Sequence, residues 1–377
     1  MRYIHELPDW PEFRWKADEL AGVLAESAFR LGRFLGRLAG IGFELRNEAG
    51  LDALSGEIVE SARIEGETLD RADVRSSVAR RMEIVLREQE RPPSREAEAR
   101  AEMMMDATRN WSEPMTRERL FAWHAALFPT GWSGMSRIRV GAYRTDEDGP
   151  MQVVSLHGIT EKVHFEAPPA RRLPGEMESL FAWLGAGAGG MPPIVHAALA
   201  HLRFLTLHPF EDGNGRLARA LTEWLLARSE RSALRFYSLS ARIQKEKSAY
   251  YEELQRAQRG SMDATRWVRW FAGCHARAVE DAEERLGAVF RKADFWRGHA
   301  DDGFGANQRK MLNRLLDGFE GHLTSTKWAQ LCKVSQDTAS REIGDLVQRG
   351  VLVRQGRARA TYYELADGAP EGGVGGG

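Results

Sequence analysis

His208-Pro209-Phe210-Glu211-Asp212-Gly213-Asn214-Gly215-Arg216-Leu217-Ala218-Arg219 joins two stretches of helical character, and its reading decides the rest of the chain. Before it, residues 193–207 place apolar side chains at helical spacing; Pro209 and the Asp212-Gly213 pair interrupt the pattern, and residues 216–228 resume it. The order is helix, tight loop, helix. A loop that feeds a helix N-terminus offers unpaired N–H groups and the positive end of the helix dipole, and Gly213 and Gly215 let a ligand approach the backbone closely. That is a cradle for phosphate oxygens.

The side chains add chemistry to the cradle. His208 has an ordinary pKa close to neutrality and suits a general base, Asp212 is a hard oxygen donor suited to Mg²⁺, and Arg216 and Arg219 share a helix face with planar forks that match phosphate. Phosphoryl or nucleotidyl transfer, which relies on positioning and charge stabilisation, uses such a set. A buried histidine followed by a helix-capping turn would also contain some of these residues. It would not require the base, the carboxylate, both glycines and both arginines within twelve positions.

The run resembles the HPFx(D/E)GNGRxxR signature of Fic proteins at every specified position. The resemblance implies AMP transfer from ATP to a hydroxyl side chain of a target protein. His208 would be the base and Asp212 the Mg²⁺ ligand. Glu211, Asp212, Gly213, Asn214, Gly215, Arg216 and Arg219 would surround the nucleotide phosphates. It also implies a mainly α fold, with a Fic-type helical core, a β-hairpin flap and, at the C-terminus here, a winged helix.

Upstream, Ser61-Ala62-Arg63-Ile64-Glu65-Gly66 puts Ser61 and Glu65 on one helix face, with Gly66 suited to the helix end. A solvated surface pair would share this spacing. Beside the signature, the segment is similar to the family's (S/T)xxxE(G/N) inhibitory motif, in which the glutamate pairs with the second motif arginine, here Arg219. The implied enzyme is restrained in cis, with Glu65 standing where the ATP γ-phosphate would go. In some relatives this glutamate is credited with AMP removal, so a de-AMPylating activity stays open.

The 43% hydrophobic and 28% charged content of this 377-residue chain indicates a globular protein of more than one domain. A net charge of −1 gives no whole-molecule attraction to nucleic acid or membrane. Residues 1–8 lack a signal-peptide core and no apolar run spans a bilayer, so the expected location is cytoplasmic and no membrane partner is expected. Cys274 and Cys332 are far apart and are expected to be reduced, buried and structural. His196 and His201, five apart, diverge on a helix and are read as structural.

The expected organisation is a helical N-terminal domain over 1–100, the Fic core over 101–295, a winged helix-turn-helix over 296–366 and a Gly-rich disordered tail over 367–377. Residues 10–45 read as an extended start and then helix with Leu20, Leu24, Leu31, Leu35 and Leu38 on one side, similar to a domain found ahead of Fic cores. Residues 70–87 read as helix, 88–100 as a solvated connection, Met103 to Met105 as core and 139–144 as extended. Met151 to Ser155 and Lys162 to Phe165 form a hairpin; in the family such a flap, here with Val153, Val154 and Ser155, docks the target by strand addition. A plain surface hairpin has the same pattern. Tyr250 and Tyr251 resemble the family's pair beside the adenine pocket, with Gln258 as the polar residue that follows; core packing would also explain the tyrosines.

Residues 278–295 read as one helical run, followed by helices over 308–316, 325–331 and 335–349 and strands over 350–354 and 361–365. The recognition helix would begin near Val334, with Arg354, Arg357 and Arg359 on the wing. Ten Lys and Arg against six Asp and Glu between residues 307 and 366 permit DNA contact without requiring it, since winged helices also dock proteins. Two readings stay open: an ATP- and Mg²⁺-dependent adenylyltransferase, or a DNA-binding regulator whose core senses nucleotide. Related proteins often form homodimers.

Overall fold

The computed structural model describes residues 3–85, 92–157, 160–357 and 361–366. The chain is mainly helical and divides into two compact units, residues 1–35 with 43–283, and residues 36–42 with 284–377.

In the first unit α1 (Ala17–Ala39) buries Leu20 and keeps Leu24 and Leu31 partly covered. The helix expected to continue to Leu45 breaks between Gly40 and Gly42, and α2 (Phe43–Ile64) starts afresh. Glycines there remove the side chains that would hold a helix together. Helix α3 (Arg71–Arg81) begins where Asp70 accepts the N–H groups of Ala72 and Asp73. It ends well before Arg87, because Glu83 turns left-handed (φ 59°) and the Ile84 N–H folds back to the Ala79 carbonyl. This is a Schellman closure made without glycine, so the sequence does not announce it. The expected solvated connection over 88–100 is helical from Arg95: Ser94 caps α4 (Arg95–Arg109), whose Met103, Met104 and Met105 are core. Residues 86–91 of that stretch lie outside the described residues.

Thr116 caps α5 (Arg117–Leu127). The two-residue strands β1 (Trp132–Ser133) and β2 (Ser136–Arg137) follow, and residues 139–144 run without joining a ladder. Strands β3 (Gln152–His157) and β4 (Thr160–Glu166) pair antiparallel with a bulge between Val153 and Val154. Then come α6 (Leu173–Gly185) and α7 (Pro193–Leu207), the latter buried from Ile194 to Leu207. A helix apolar on every side belongs at the centre of a core. Packed on it is α8 (Asn214–Glu230), followed by α9 (Leu239–Lys245), α10 (Lys247–Gln258) and α11 (Thr265–Arg285).

Helix α2 is fastened to this core by a buried carboxylate. Glu57 accepts the Ser238 hydroxyl at 2.6 Å and the Ser240 N–H at 2.9 Å, so it holds the start of α9. Breaking a buried charge-assisted pair costs several times the net value of a neutral hydrogen bond, so α2 is held firmly on its core side.

In the second unit the helical run expected over 278–295 is broken at Leu286, where α12 (Gly287–Gly298) starts. Helices α13 (Ala306–Leu316), α14 (Ser325–Cys332) and α15 (Gln336–Gln348) and the antiparallel pair β5 (Leu352–Gln355) and β6 (Tyr362–Leu365) enclose Met311, Leu312, Trp328, Ile343 and Leu346. Thr324 caps α14, left-handed Lys333 ends it, and Ser335 caps α15, which makes the tight turn between them. Leu323 bridges Tyr363 and so adds a third short strand segment. Cys274 is buried as expected; Cys332, at the end of α14, is only partly covered. Arg359 and the Gly-rich tail lie outside the described residues. No helix among the described residues is long and apolar enough to cross a membrane.

Candidate active site

The loop between α7 and α8 brings the residues of the signature together. His208 closes α7 in the left-handed conformation (φ 47°, ψ 58°), uncommon and mildly disfavoured for a residue other than glycine. Its Nδ1 lies 3.3 Å from the Leu205 carbonyl, which assigns the proton to Nδ1 and leaves Nε2 as acceptor. Burial pushes the imidazole pKa down to about 4, so the ring is neutral at pH 7.

Asn214 does not present its amide to the cavity: Oδ1 accepts the Phe210 N–H at 3.0 Å and Nδ2 donates to the Phe210 carbonyl at 2.8 Å, which closes the loop on itself. Glu211 accepts the Arg139 N–H at 2.9 Å, a tie to the preceding segment. Gly213 precedes α8 at φ 85°, and a Cβ there would meet the Phe128 ring at 2.9 Å. Glycine is needed on both counts.

Asp212 is ionised. Burial alone would raise its carboxyl; the Ser133 hydroxyl, Arg216 and the Gly213 N–H outweigh this and hold it below the usual range. Among the described residues no group of three or more His, Cys, Asp and Glu gathers to hold a metal. A single carboxylate beside the Ser133 hydroxyl fits Mg²⁺, which is commonly held by one or two carboxylates together with substrate phosphates and water.

Both motif arginines are already engaged. Arg219 donates from Nε to the Ser61 hydroxyl at 2.8 Å and from Nη2 to Glu65 Oε1 at 2.8 Å and the Ser61 carbonyl at 2.8 Å. Glu65 lies so close over the helix start that a Cβ on Gly215 would sit 2.0 Å from its Oε1. The carboxylate therefore stands on the anion cradle. Arg216 bonds Asp212 at 3.2 Å and also Glu67, whose second oxygen is 2.5 Å from Arg100 Nη1. Glu65 and Glu67, on one turn after α2, thus hold three guanidiniums. Gly66, at φ 83°, makes that turn.

A cavity of about 780 Å³ opens beside the loop, lined among others by Glu65, His208, Gly215, Tyr250, Tyr251 and Gln258 on one side and by Val153 and Val154 of the hairpin on the other. Tyr250 is buried with its hydroxyl 2.9 Å from His201 Nε2; Tyr251 is partly exposed; Gln258 is buried. His201 also bonds Thr222 at 2.9 Å and is a packing residue of the α7–α8 core. Nothing is described of the Ser155 side chain, although its backbone pairs with Lys162. Strand β4 is tied to α10 through Gln255 and Arg259, which donate to the His164 carbonyl at 3.2 and 2.6 Å.

The sequence reading brought forward most of these residues and missed Glu67, Ser133 and Arg144. Ser133 ends a two-residue strand too short to show a period, Arg144 lies in a segment without periodicity, and Glu67 is one charged residue among many; each meets a partner far away in the chain.

Residues 114–226 match the Fic/DOC family, and residues 3–84 match a domain of unknown function, DUF4172. The chain is 35% identical over 113 residues to a protein adenylyltransferase Fic of Culex quinquefasciatus, covering 28% of this chain and 21% of that protein. It is 35% identical over 133 residues to one of Nematostella vectensis, covering 35% of this chain and 29% of that protein. A uridine 5'-monophosphate transferase of Xanthomonas campestris is 29% identical over 130 residues, covering 32% of this chain and 23% of that protein. The chain thus spans less than a third of the length of these relatives. A Fic family protein from Desulfovibrio desulfuricans G20 superimposes with a TM-score of 0.54 at 23% identity, covering 93% of this chain and 97% of that one, a likeness of fold. The chain therefore carries a Fic/DOC domain on a mainly helical Fic-type fold.

Proposed function

We propose that this chain is a protein adenylyltransferase that moves AMP from ATP to a hydroxyl of a target protein, restrained by its own Glu65. The observation that carries the reading is the Arg219–Glu65 contact at 2.8 Å over the Gly215 cradle, because it puts a carboxylate where a phosphate of a bound nucleotide would otherwise meet the helix start and Arg219. Relatives named protein adenylyltransferase support the donor and the acceptor class.

In this reading the nucleotide base enters the cavity beside Tyr250, Tyr251 and Gln258, and the phosphates lie along Gly213 to Arg219. His208 Nε2 takes the proton of the target hydroxyl, whose oxygen forms a bond to the α-phosphorus. The bond from that phosphorus to the bridging oxygen of the β-phosphate breaks, and pyrophosphate leaves. Asp212 would hold Mg²⁺, which would offset phosphate charge. The exposed Val153 and Val154 on β3 offer an edge for a target segment in extended form. Reversal with water at the same site remains within the proposal.

Self-labelling with α-³²P-ATP and Mg²⁺ tests this, comparing wild type, Glu65→Gly and Glu65→Gly with His208→Ala. Strong label in Glu65→Gly that disappears with His208 is the expected result. No label in folded Glu65→Gly would overturn the restrained adenylyltransferase. The relative named uridine 5'-monophosphate transferase motivates a second donor, so α-³²P-UTP is run in parallel; label from UTP alone would transfer the proposal to uridylylation.

A further inference from the structure

Three segments meet on one buried guanidinium that has no place in the signature. Arg144, with its side chain 1% exposed, donates from Nε to the His208 carbonyl at 2.8 Å, from Nη2 to the Pro168 carbonyl at 2.6 Å and from Nη1 to Asp146 Oδ1 at 2.9 Å. Its backbone N–H donates to the Pro209 carbonyl at 3.0 Å. Asp146 Oδ2 in turn accepts the Ala170 N–H at 2.6 Å. Residues 144–146 lead into β3 and residues 168–170 lead out of β4, so one fork ties the two stems of the hairpin to the backbone of the base.

We propose that Arg144 is a positioning residue for His208, one that imposes the left-handed turn at the end of α7 and fixes the distance between the base and the hairpin. The role rests on the adenylyltransferase reading above. A left-handed His208 is intrinsically disfavoured, and the two consecutive carbonyls on which Arg144 and its N–H converge are those of His208 and Pro209. A lysine keeps the charge but is a single point donor without a planar fork, so it cannot serve two carbonyls and a carboxylate set this way. The phosphate cradle from Gly213 to Arg219 makes no bond to Arg144 among those described. Positioning of the base and binding of nucleotide are therefore separable.

The test places Arg144→Lys in a Glu65→Gly background and measures three things. The self-labelling rate at saturating ATP is expected to fall by on the order of tenfold to a hundredfold, the penalty for a base displaced by a fraction of an ångström. ATP affinity measured by calorimetry is expected to stay within about twofold, since the cradle is intact. Hydrogen exchange over residues 205–212 is expected to speed up, while residues 214–226 keep their protection. Full labelling with Arg144→Lys, showing that charge alone is enough, overturns the proposal, as does an equal loss of rate and ATP affinity. If Arg144→Lys does not fold, Asp146→Ala releases one arm of the fork with both carbonyl bonds kept; a smaller fall in rate at unchanged ATP affinity supports the proposal, and an unchanged rate overturns it. If the Glu65→Gly parent itself fails to label, the adenylyltransferase reading has failed, and the exchange measurement still decides whether Arg144 holds the His208 turn.

Discussion

The state of Arg219 is the most consequential feature at the scale of single residues. Its guanidinium is buried and its charge is met by one carboxylate, Glu65, whose side chain is 31% exposed. Removing one partner of such a pair costs more than the pair contributes, on the order of 3–5 kcal/mol, because the other charge is left without compensation. A nucleotide phosphate can supply that compensation. Glu65→Gly is thus expected to melt earlier than wild type when empty and to gain far more from Mg-ATP: at a hundredfold excess over its dissociation constant, about 2.7 kcal/mol of stabilisation against little for wild type. Differential scanning fluorimetry with and without Mg-ATP checks this, and equal shifts for the two proteins would show that Glu65 does not compete with nucleotide. Residues of this kind were legible. The types and spacing of His208, Asp212, Arg216 and Arg219 mark the loop and helix start on which they lie, and the Ser61–Glu65 spacing, informative beside them, matches two side chains that both reach Arg219. Arg144 and Ser133 were not legible, because their roles come from contacts to residues 64 and 79 positions away.

The turn after α2 acts as one element. Glu65 and Glu67 flank Gly66, and α2 itself is anchored by Glu57 at its middle. Releasing Arg219 alone leaves Arg216 on Glu67, which Arg100 also holds. Freeing both Arg216 and Arg219 therefore needs both carboxylates withdrawn. Glu67→Gln in the Glu65→Gly background is expected to tighten ATP binding a further fewfold to tenfold, the scale of one charge-assisted bond freed for the ligand. Calorimetric titration reads this directly, and unchanged affinity would make Glu67 a structural partner of Arg100 only. At this scale the sequence spoke unevenly. The hairpin and the helices flanking the signature follow from alternation and from 3.6-residue periodicity, and residues 193–207 fell on α7 as read. The ends of α3 and α1 did not, since Glu83 takes a left-handed turn without glycine and the break at Gly40 to Gly42 competes with a continuing leucine pattern. The short helix α9, about two turns behind its Ser238 cap, owes its place to Glu57 on a distant helix.

At the scale of the molecule, the second unit decides whether the chain has a partner besides those of the proposed transfer. Trp328, Met311, Ile343 and Leu346 belong to a hydrophobic cluster within this unit, and α14, the tight turn and α15 followed by β5 and β6 have the order of a winged helix. Were the unit to meet a duplex, α15 and β5 would be the face to test. Arg341 is exposed on that helix and Arg354 on β5, while the buried side of α15 is occupied by Ala339, Ile343 and Leu346. On α15 itself Asp337, Glu342 and Asp345 outnumber Arg341, so attraction to DNA would have to come from the ten Lys and Arg spread over residues 307–366, and binding is expected to be weak and salt-dependent. Gel shifts of the full chain with random duplex between low and physiological salt are expected to give a linear fall of log affinity with log salt. Arg341→Ala and Arg354→Ala should each shallow that slope by about 0.9, one phosphate contact apiece. No binding even at low salt would assign the unit to protein docking, and binding that both substitutions leave untouched would move the DNA-facing surface away from α15 and β5.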